Sequence, residues 1–438
     1  MKLHDKQYRL DFSLIIVVSL VAAIGCLMIY SGGFDPIEGV NSGLYKRQIL
    51  WFIIGFVLML AATFINYRQL FDYAPYIYAA FLLVLLFTTL FGSEIRNTRA
   101  WLNFYFFSIQ PSEFMKLAVV IMLGWILDQL ERDLKQFHKL LLPFIILMVP
   151  VIIIFKQPDF GTAVIFFPIL VTMLFVGGAD VSHLFSIILI AVIAFVLPMA
   201  ITYSEWVGEE ELGVFLNFCR DTSRLLALAG ILLASAAIAF ILNRIYPKKI
   251  FRRIYMPCGV LSFGLLFSVI IQNFFKLYQK KRILVFLNPD LDPQGSGYNI
   301  IQSKIAIGSG GFLGKGFLQG SQSQLGFLPE KTSDFIFSVV AEEWGFVGAV
   351  ALILLLAFIV FKGIQTALSA KDKFGALLAG GITSIFFFHI LINIGMVIGI
   401  MPVTGLPLCF VSYGGSNLLM CMIGVGLLLN INLHRHAY

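Results

Sequence analysis

Asn288-Pro-Asp-Leu-Asp-Pro-Gln-Gly-Ser-Gly-Tyr298, continuing through glycine-rich sequence to Asp334, is the polar exception in a greasy chain. On either side lie apolar runs close to 20 residues long. A helix rising 1.5 Å per residue needs about that length to cross a hydrocarbon core of roughly 30 Å. A protein that only spans a membrane has no use for so long a polar connection, and structureless loops of that length tend to be functional or disordered. The block 276–334 holds too much Phe, Ile, Leu and Gly for a solvated, disordered segment. It is expected to be an ordered loop working at a membrane surface.

Composition agrees with that reading. Hydrophobic residues make up 59% and charged residues 13% of the 438 positions, with a mean hydropathy of +0.91; soluble domains carry roughly 25% charged residues. Cys26, Cys219, Cys258, Cys409 and Cys421 have no paired or metal-like spacing and read as small apolar fillers. The net charge of +7 is spread through the loops, so it speaks to membrane topology and not to nucleic acid. The N-terminal apolar stretch continues to Tyr30 without a small-x-small cleavage site, which predicts an uncleaved first span.

Apolar runs over 13–31, 47–66, 73–92, 111–128, 140–156, 161–178, 183–202, 222–243, 256–275, 335–362, 374–400 and 415–433 predict an all-α polytopic membrane protein of one domain, 1–438, with about twelve spans. An even count puts both termini on one face. The turn after the eighth span packs Arg244, Lys248, Lys249, Arg252 and Arg253 together, and the N-terminal cations, Lys362, Lys371, Lys373 and Arg435 fall on the same side. Positive loops face the cytoplasm, so both termini of this multi-pass protein are expected there. The acidic Glu205-Trp-Val-Gly-Glu-Glu-Glu211 and the block 276–334 then face outward. Lys46, Arg47, Arg96, Arg99, Lys276, Lys280, Lys281 and Arg282 break the rule. Some suit snorkelling anchors, and together they suit an anionic partner such as a lipid phosphate.

Familiar soluble motifs fail. Gly308-Ser-Gly-Gly-Phe-Leu-Gly-Lys-Gly316 resembles a phosphate loop, but Ser309 stands where its first glycine belongs and Gly316 replaces the Mg²⁺-binding hydroxyl. Asp290-Leu-Asp292-Pro-Gln-Gly295 imitates a calcium loop until Gln294 and Ile301 occupy ligand positions.

The string Asp292-Pro-Gln-Gly-Ser-Gly-Tyr-Asn-Ile-Ile-Gln-Ser-Lys-Ile-Ala-Ile-Gly-Ser-Gly-Gly311, with Gly314-Lys-Gly316, Leu328-Pro-Glu330 and Asp334-Phe-Ile-Phe337, closely resembles the shape, elongation, division and sporulation (SEDS) family. Arg99-Ala-Trp101 with Gln110-Pro-Ser-Glu-Phe-Met-Lys116, Gln157-Pro-Asp-Phe-Gly-Thr-Ala163, Met401-Pro-Val-Thr-Gly-Leu-Pro407 and Ser412-Tyr-Gly-Gly-Ser416 resemble further motifs of that family. Gln322-Ser-Gln-Leu325 is closer to its elongation branch than to its division branch. Three departures stand out. Thr332-Ser333-Asp334 replaces a His-Thr-Asp, Cys409 replaces a proline, and spans 222–243 and 256–275 resemble a hairpin, 222–275, inserted into a ten-helix core.

The resemblance implies a peptidoglycan glycosyltransferase. It would polymerise lipid II, the undecaprenyl-pyrophosphate-linked disaccharide peptide, with inversion at the donor carbon and release of undecaprenyl pyrophosphate. It also implies a class B penicillin-binding protein and other elongation-complex membrane proteins as partners. By resemblance, Asp292 is the base that such a step requires, and 276–334 is the catalytic loop. A leaving pyrophosphate needs cations or a metal. Arg99 and Lys116 are the first candidates, followed by Lys281 and Arg282; Mg²⁺ or Mn²⁺ would serve the same end, with Glu330 and Asp334 open either to binding such an ion or to orienting the loop. Glu113, three residues before Lys116, shares its helix face, so the two also read as a structural ion pair. Asp159, Gln302, Glu330, Asp334, Ser412 and Tyr413 complete the implied substrate site. A lipid II flippase is the alternative, although no matching halves with corresponding interruptions appear.

Overall fold

The computed structural model describes residues 10–36, 39–95, 98–104, 107–130, 134, 136–207, 218–274, 285–286, 288–289, 292 and 295–435. Two compact units divide the chain: Met1–Ala179 with Pro293–Tyr438, and Asp180–Asp292.

The first unit holds helices α1 (Phe12–Gly32), α2 (Leu44–Phe64), α3 (Tyr67–Phe91), α4 (Pro111–Gln129), α5 (Leu141–Lys156) and α6 (Phe160–Gly177). The second holds α7 (Val181–Val207), α8 (Thr222–Ile245) and α9 (Lys249–Phe274). The chain then rejoins the first unit with α10 (Ser296–Gly310), the single turn α11 (Ser321–Gln324), α12 (Ile336–Ser369), α13 (Lys373–Ile398) and α14 (Gly415–His434). Among the described residues, eleven helices are long and apolar enough to cross a membrane. The expected twelve spans correspond to those eleven and α4, whose 19 residues carry Glu113, Lys116 and Asp128.

Helix starts follow elementary capping. Asp11, Asn66, Asp159 and Asp372 accept the backbone N–H of Leu14, Arg68, Thr162 and Gly375 at 2.8–3.3 Å. Pro111 opens α4, where its missing N–H costs nothing. In the second unit Asp221 caps α8, and α9 packs between α7 and α8 around Ile201, Cys219, Leu225, Ala229 and Leu265. All five cysteines are free.

At one end of the first unit, Asn430 of α14 clasps the α2–α3 turn. Its amide nitrogen donates to the carbonyls of Ala62, Thr63 and Ile65, and its oxygen accepts from Tyr67 N at 3.2 Å. The Tyr67 hydroxyl and Arg68 guanidinium both reach Asp372 at this end, at 2.7 and 3.1 Å. Asp11 and Lys362 pair nearby at 2.8 Å, lining a cavity of about 260 Å³ with Asn432 and Arg435. Burial alone would raise the Asp11 carboxyl; the hydrogen bonds from Lys362 and Ser13 and the Lys362 charge outweigh it and hold it below the ordinary 3.8. A carboxylate depressed by folding stabilises the folded state above its unfolded value, and that contribution fades as pH falls through its folded value. Lys362→Met should therefore lower the melting midpoint at neutral pH and progressively less below about pH 4, a difference that paired thermal scans across pH would record.

Over its described stretch 295–334, the polar block is more regular than its composition suggests. Gly297, Gly308 and Gly310 lie inside the 15-residue helix α10, where Gly310 lets the helix touch the Ala341 carbonyl. Gly295 keeps a negative φ, at −110°. Positive φ begins after the helix, at Gly311, Gly314 and Gly316, and recurs at Leu318, Gly326 and Glu330. The 311–316 loop pairs with an interruption in α12. At Gly345 the backbone turns to φ 64°, ψ −162°. The freed carbonyls of Glu342 and Glu343 accept Lys315 N and Gly316 N, each at 3.0 Å, while Phe346 N and Val347 N donate to Gly311 and Phe312 at 2.9 and 3.2 Å. Irregular backbone at membrane depth is tolerated where protein satisfies it in this way. Gly345→Ala would force a Cβ into the Gly314 backbone at a φ that L-residues avoid. A clear drop in melting midpoint is expected, with faster amide exchange over 311–316 as the local signature.

Candidate functional site

The other end of the first unit is built around 401–414, the connection between α13 and α14. Ser412 fixes it: the hydroxyl accepts Leu408 N at 2.8 Å and donates to Ser333 O at 2.6 Å. Tyr413 N donates to Thr332 O at 2.9 Å, so this connection and the 330–335 turn are sewn together. From α2, Gln48 grips the same loop through Ser412 O and Gly414 N, at 3.1 and 3.3 Å. From α13, Asn393 donates to Asp334 O and Leu406 O at 2.9 and 2.7 Å. Gly161 at the start of α6 lies so close to Thr404 O that no Cβ fits.

Beside this frame, Gln110 donates to the Asp159 carboxylate at 2.7 Å, and its backbone N–H reaches Ser416 Oγ at 2.9 Å. Asp159 thus serves two elements, since its other oxygen caps α6. One turn into α4, Lys116 is 0% exposed and Glu113 2%. The Lys116 ammonium lies 2.9 Å from each Glu113 oxygen and 2.8 Å from His389 Nε2. In this conformation its complete burial closes Lys116 off from a pyrophosphate.

A second polar cluster sits at the α12 interruption. Glu342, 0% exposed, accepts Gln322 N and Ser323 N at 2.8 and 2.9 Å and pairs with Lys315 at 2.9 Å. Glu343 takes the Ser31 hydroxyl and, at 3.3 Å, the Gln324 amide. Lys331 donates to Ser323 O. Burial pushes its ammonium below the ordinary 10.5, against the upward pull of Asp35, Glu342 and Glu343. These carboxylates anchor the 315–324 segment to α12.

The residues singled out from sequence are therefore only partly gathered. Glu113, Lys116, Asp159, Asp334, Ser412 and Tyr413 all belong to the 401–414 frame or its immediate supports. Glu330 lies at the head of the 330–335 turn with φ 53°, its carbonyl accepting Ser333 N and Phe335 N and its carboxylate accepting the Ser333 hydroxyl at 3.0 Å. Gln302 is half-buried on α10, beside Ser303, whose hydroxyl bridges Ser338 Oγ and Val397 O at 2.8 and 2.6 Å. Arg99 is exposed on a three-stranded ribbon of β3 (Ser93–Ile95), β4 (Thr98–Phe104) and β5 (Phe107–Ile109), 3.5 Å from Glu94. Asp292 is half-buried at the end of the second unit, its N–H 3.3 Å from Pro289 O. Lys281 and Arg282 fall outside the described residues. Among the described residues no three His, Cys, Asp or Glu side chains converge to hold a metal ion, so they assign no ligand set to Mg²⁺ or Mn²⁺.

Sequence reading passed over His389, Asn393, Glu342, Glu343 and Gln48. The signal was present for all five: polar or charged side chains inside spans are costly and point by default to function.

Comparison with known proteins covers nearly the whole chain. A family model described as cell cycle protein, of the FtsW, RodA and SpoVE type, matches residues 11–240 and 250–437. The peptidoglycan glycosyltransferase RodA of Treponema pallidum (strain Nichols) is 36% identical, over 96% of this chain and 97% of its own. The peptidoglycan glycosyltransferase MrdB of Escherichia coli (strain K12) is 32% identical, over 98% and 95%. A chain from a solved peptidoglycan synthase complex that coordinates polymerization and crosslinking superposes with a TM-score of 0.68 at 27% identity, covering 98% of this chain and 99% of that one.

Proposed function

Because the chain belongs to the FtsW, RodA and SpoVE family of cell cycle proteins, we propose that it polymerises lipid II into glycan strands for cell elongation. It is a peptidoglycan glycosyltransferase and a multi-pass protein of the bacterial cytoplasmic membrane. The observation that carries the substrate and the elongation role is the end-to-end likeness to two named glycosyltransferases, RodA and MrdB.

The reaction joins an acceptor sugar hydroxyl to the anomeric carbon of a second lipid-linked donor. The new C–O bond forms as the bond to pyrophosphate breaks, with inversion, and undecaprenyl pyrophosphate leaves. Asp292 takes the hydroxyl proton as general base. The 401–414 frame, with Asp159, Asp334, Ser412 and Tyr413, holds the sugar-pyrophosphate. Its rigidity supports that role, because fixed dipoles stabilise developing charge without reorganising. Arg99, exposed and 3.5 Å from Glu94, suits diphosphate recognition better than Lys116, which is buried against Glu113 and His389. Lys281 and Arg282 remain candidates for the same task. The loop end is assigned to the outer face and both termini to the cytoplasm from the charge of the connecting segments.

A class B penicillin-binding protein is the proposed crosslinking partner, with other elongation-complex membrane proteins around it. The synthase-complex chain of like fold supports this. A lipid II flippase would move the substrate without making a bond. Against that reading, the candidate residues gathered in the first unit lie at one end and do not form a path through it.

Purified protein with its penicillin-binding partner, transpeptidase blocked, should convert labelled lipid II into long chains and release one undecaprenyl pyrophosphate per linkage. Lipid II carried across vesicles with no linkage formed would replace the polymerase reading with the flippase.

A further inference from the structure

His389 has no part in the chemistry proposed above, yet it is 0% exposed and joins two of the elements that frame the site. Its Nδ1 lies 3.2 Å from the Pro407 carbonyl, which can only accept, so Nδ1 carries the ring hydrogen. Nε2 then presents a lone pair to the Lys116 ammonium at 2.8 Å. A continuous chain results: Glu113 carboxylate, Lys116 ammonium, neutral imidazole, Pro407 carbonyl. The first two links belong to α4, the third to α13 and the last to the 401–414 connection.

One helical turn further along the same face of α13, Asn393 repeats the arrangement, reaching Leu406 O and Asp334 O. Consecutive carbonyls, Leu406 and Pro407, are thus held by side chains four residues apart on one helix. Phe386, on the same helix, closes the contact edge-on against Phe410 at 5.4 Å.

Resting on the glycosyltransferase reading, we propose that His389 is a positioning residue for sugar transfer. By accepting an N–H of Lys116 while donating to Pro407, it ties the buried charge pair of α4 to the segment that frames the substrate, and keeps that segment in register. Neither bond alone does this. A ring fixed only by Pro407 would leave a buried ammonium hydrogen without an acceptor, at a substantial cost. A ring fixed only by Lys116 would leave the connection free to shift, and displacements near 1 Å at a reacting centre cost about 10²-fold in rate.

The test uses the full-length chain with its blocked penicillin-binding partner and compares wild type, His389→Gln and His389→Leu. Gln offers an acceptor oxygen and a donor nitrogen on one side chain; Leu offers neither. Per folded protein, His389→Leu should lower kcat by about 10²-fold with KM for lipid II nearly unchanged, and His389→Gln should keep at least a third of the rate. Melting midpoints of Lys116→Met, His389→Leu and the double variant form a cycle that needs no activity. Action through Lys116 predicts that the two costs do not add. A His389→Leu as fast as a polymerising wild type, a folded His389→Gln as slow as His389→Leu, or additive midpoints each overturn this inference and leave the glycosyltransferase reading standing. A wild type that makes no chains overturns both.

Discussion

Lys116→Met is expected to lose about 3–5 kcal/mol of stability and nearly all polymerisation. The stability loss follows from burial. Glu113 and Lys116 are 2% and 0% exposed, and removing one member of a buried pair leaves the other charged and uncompensated, a change that costs about 3–5 kcal/mol. Adding Glu113→Gln removes the stranded charge, so the double variant should recover most of the lost midpoint. Replacing both partners of a buried pair with neutral groups of like volume is often neutral or stabilising. Activity should not recover with it. His389 would have lost its donor, and with it the link from α4 to the Pro407 carbonyl. Thermal unfolding in detergent and initial rates on lipid II separate the two effects. A double variant that polymerises like wild type would reduce the pair to a structural ion pair.

The spans were legible because apolar runs near 20 residues have one cheap arrangement in a bilayer, and because Asp, Asn and Pro mark their starts. Even α4 was readable, since three charges in 19 residues did not hide its length. What stayed hidden depends on packing between distant segments. Ser296–Gly310 reads as turn-forming sequence, yet it is helical; it packs on α12, where Gly310 meets Ala341 and Ser303 meets Ser338. The interruption of α12 at Gly345 has no local signal either. It exists because the 311–316 loop supplies the missing partners from some 30 residues away.

The site was legible in the same uneven way. Asp159, Asp334, Ser412 and Tyr413 were picked from motifs and do meet around 401–414. Arg99, picked with them, sits exposed on the three-stranded ribbon. Lys116 was read both as a phosphate ligand and as the ion-pair partner of Glu113, three residues before it; the pair is present, and His389, 273 residues away, joins it at 2.8 Å. Glu342 and Glu343 form adjacent charges in an apolar run, visible in principle and explained only once the loop they hold is seen.

Asp292→Asn bears on the central claim. Asn keeps the size and one acceptor oxygen of the carboxylate, and the Asp292 main chain makes its turn contact through its own N–H to Pro289 O, so the fold and melting midpoint should hold. Asn cannot take a proton, and losing a positioned general base costs about 10²–10⁴-fold. The direct measurement is the initial rate of glycan formation from labelled lipid II by wild type and Asp292→Asn, each with its penicillin-binding partner and the transpeptidase blocked. Long chains from the wild type and none from an equally stable Asp292→Asn are the predicted result; chains at the same rate from both would contradict the assignment of Asp292 as the base.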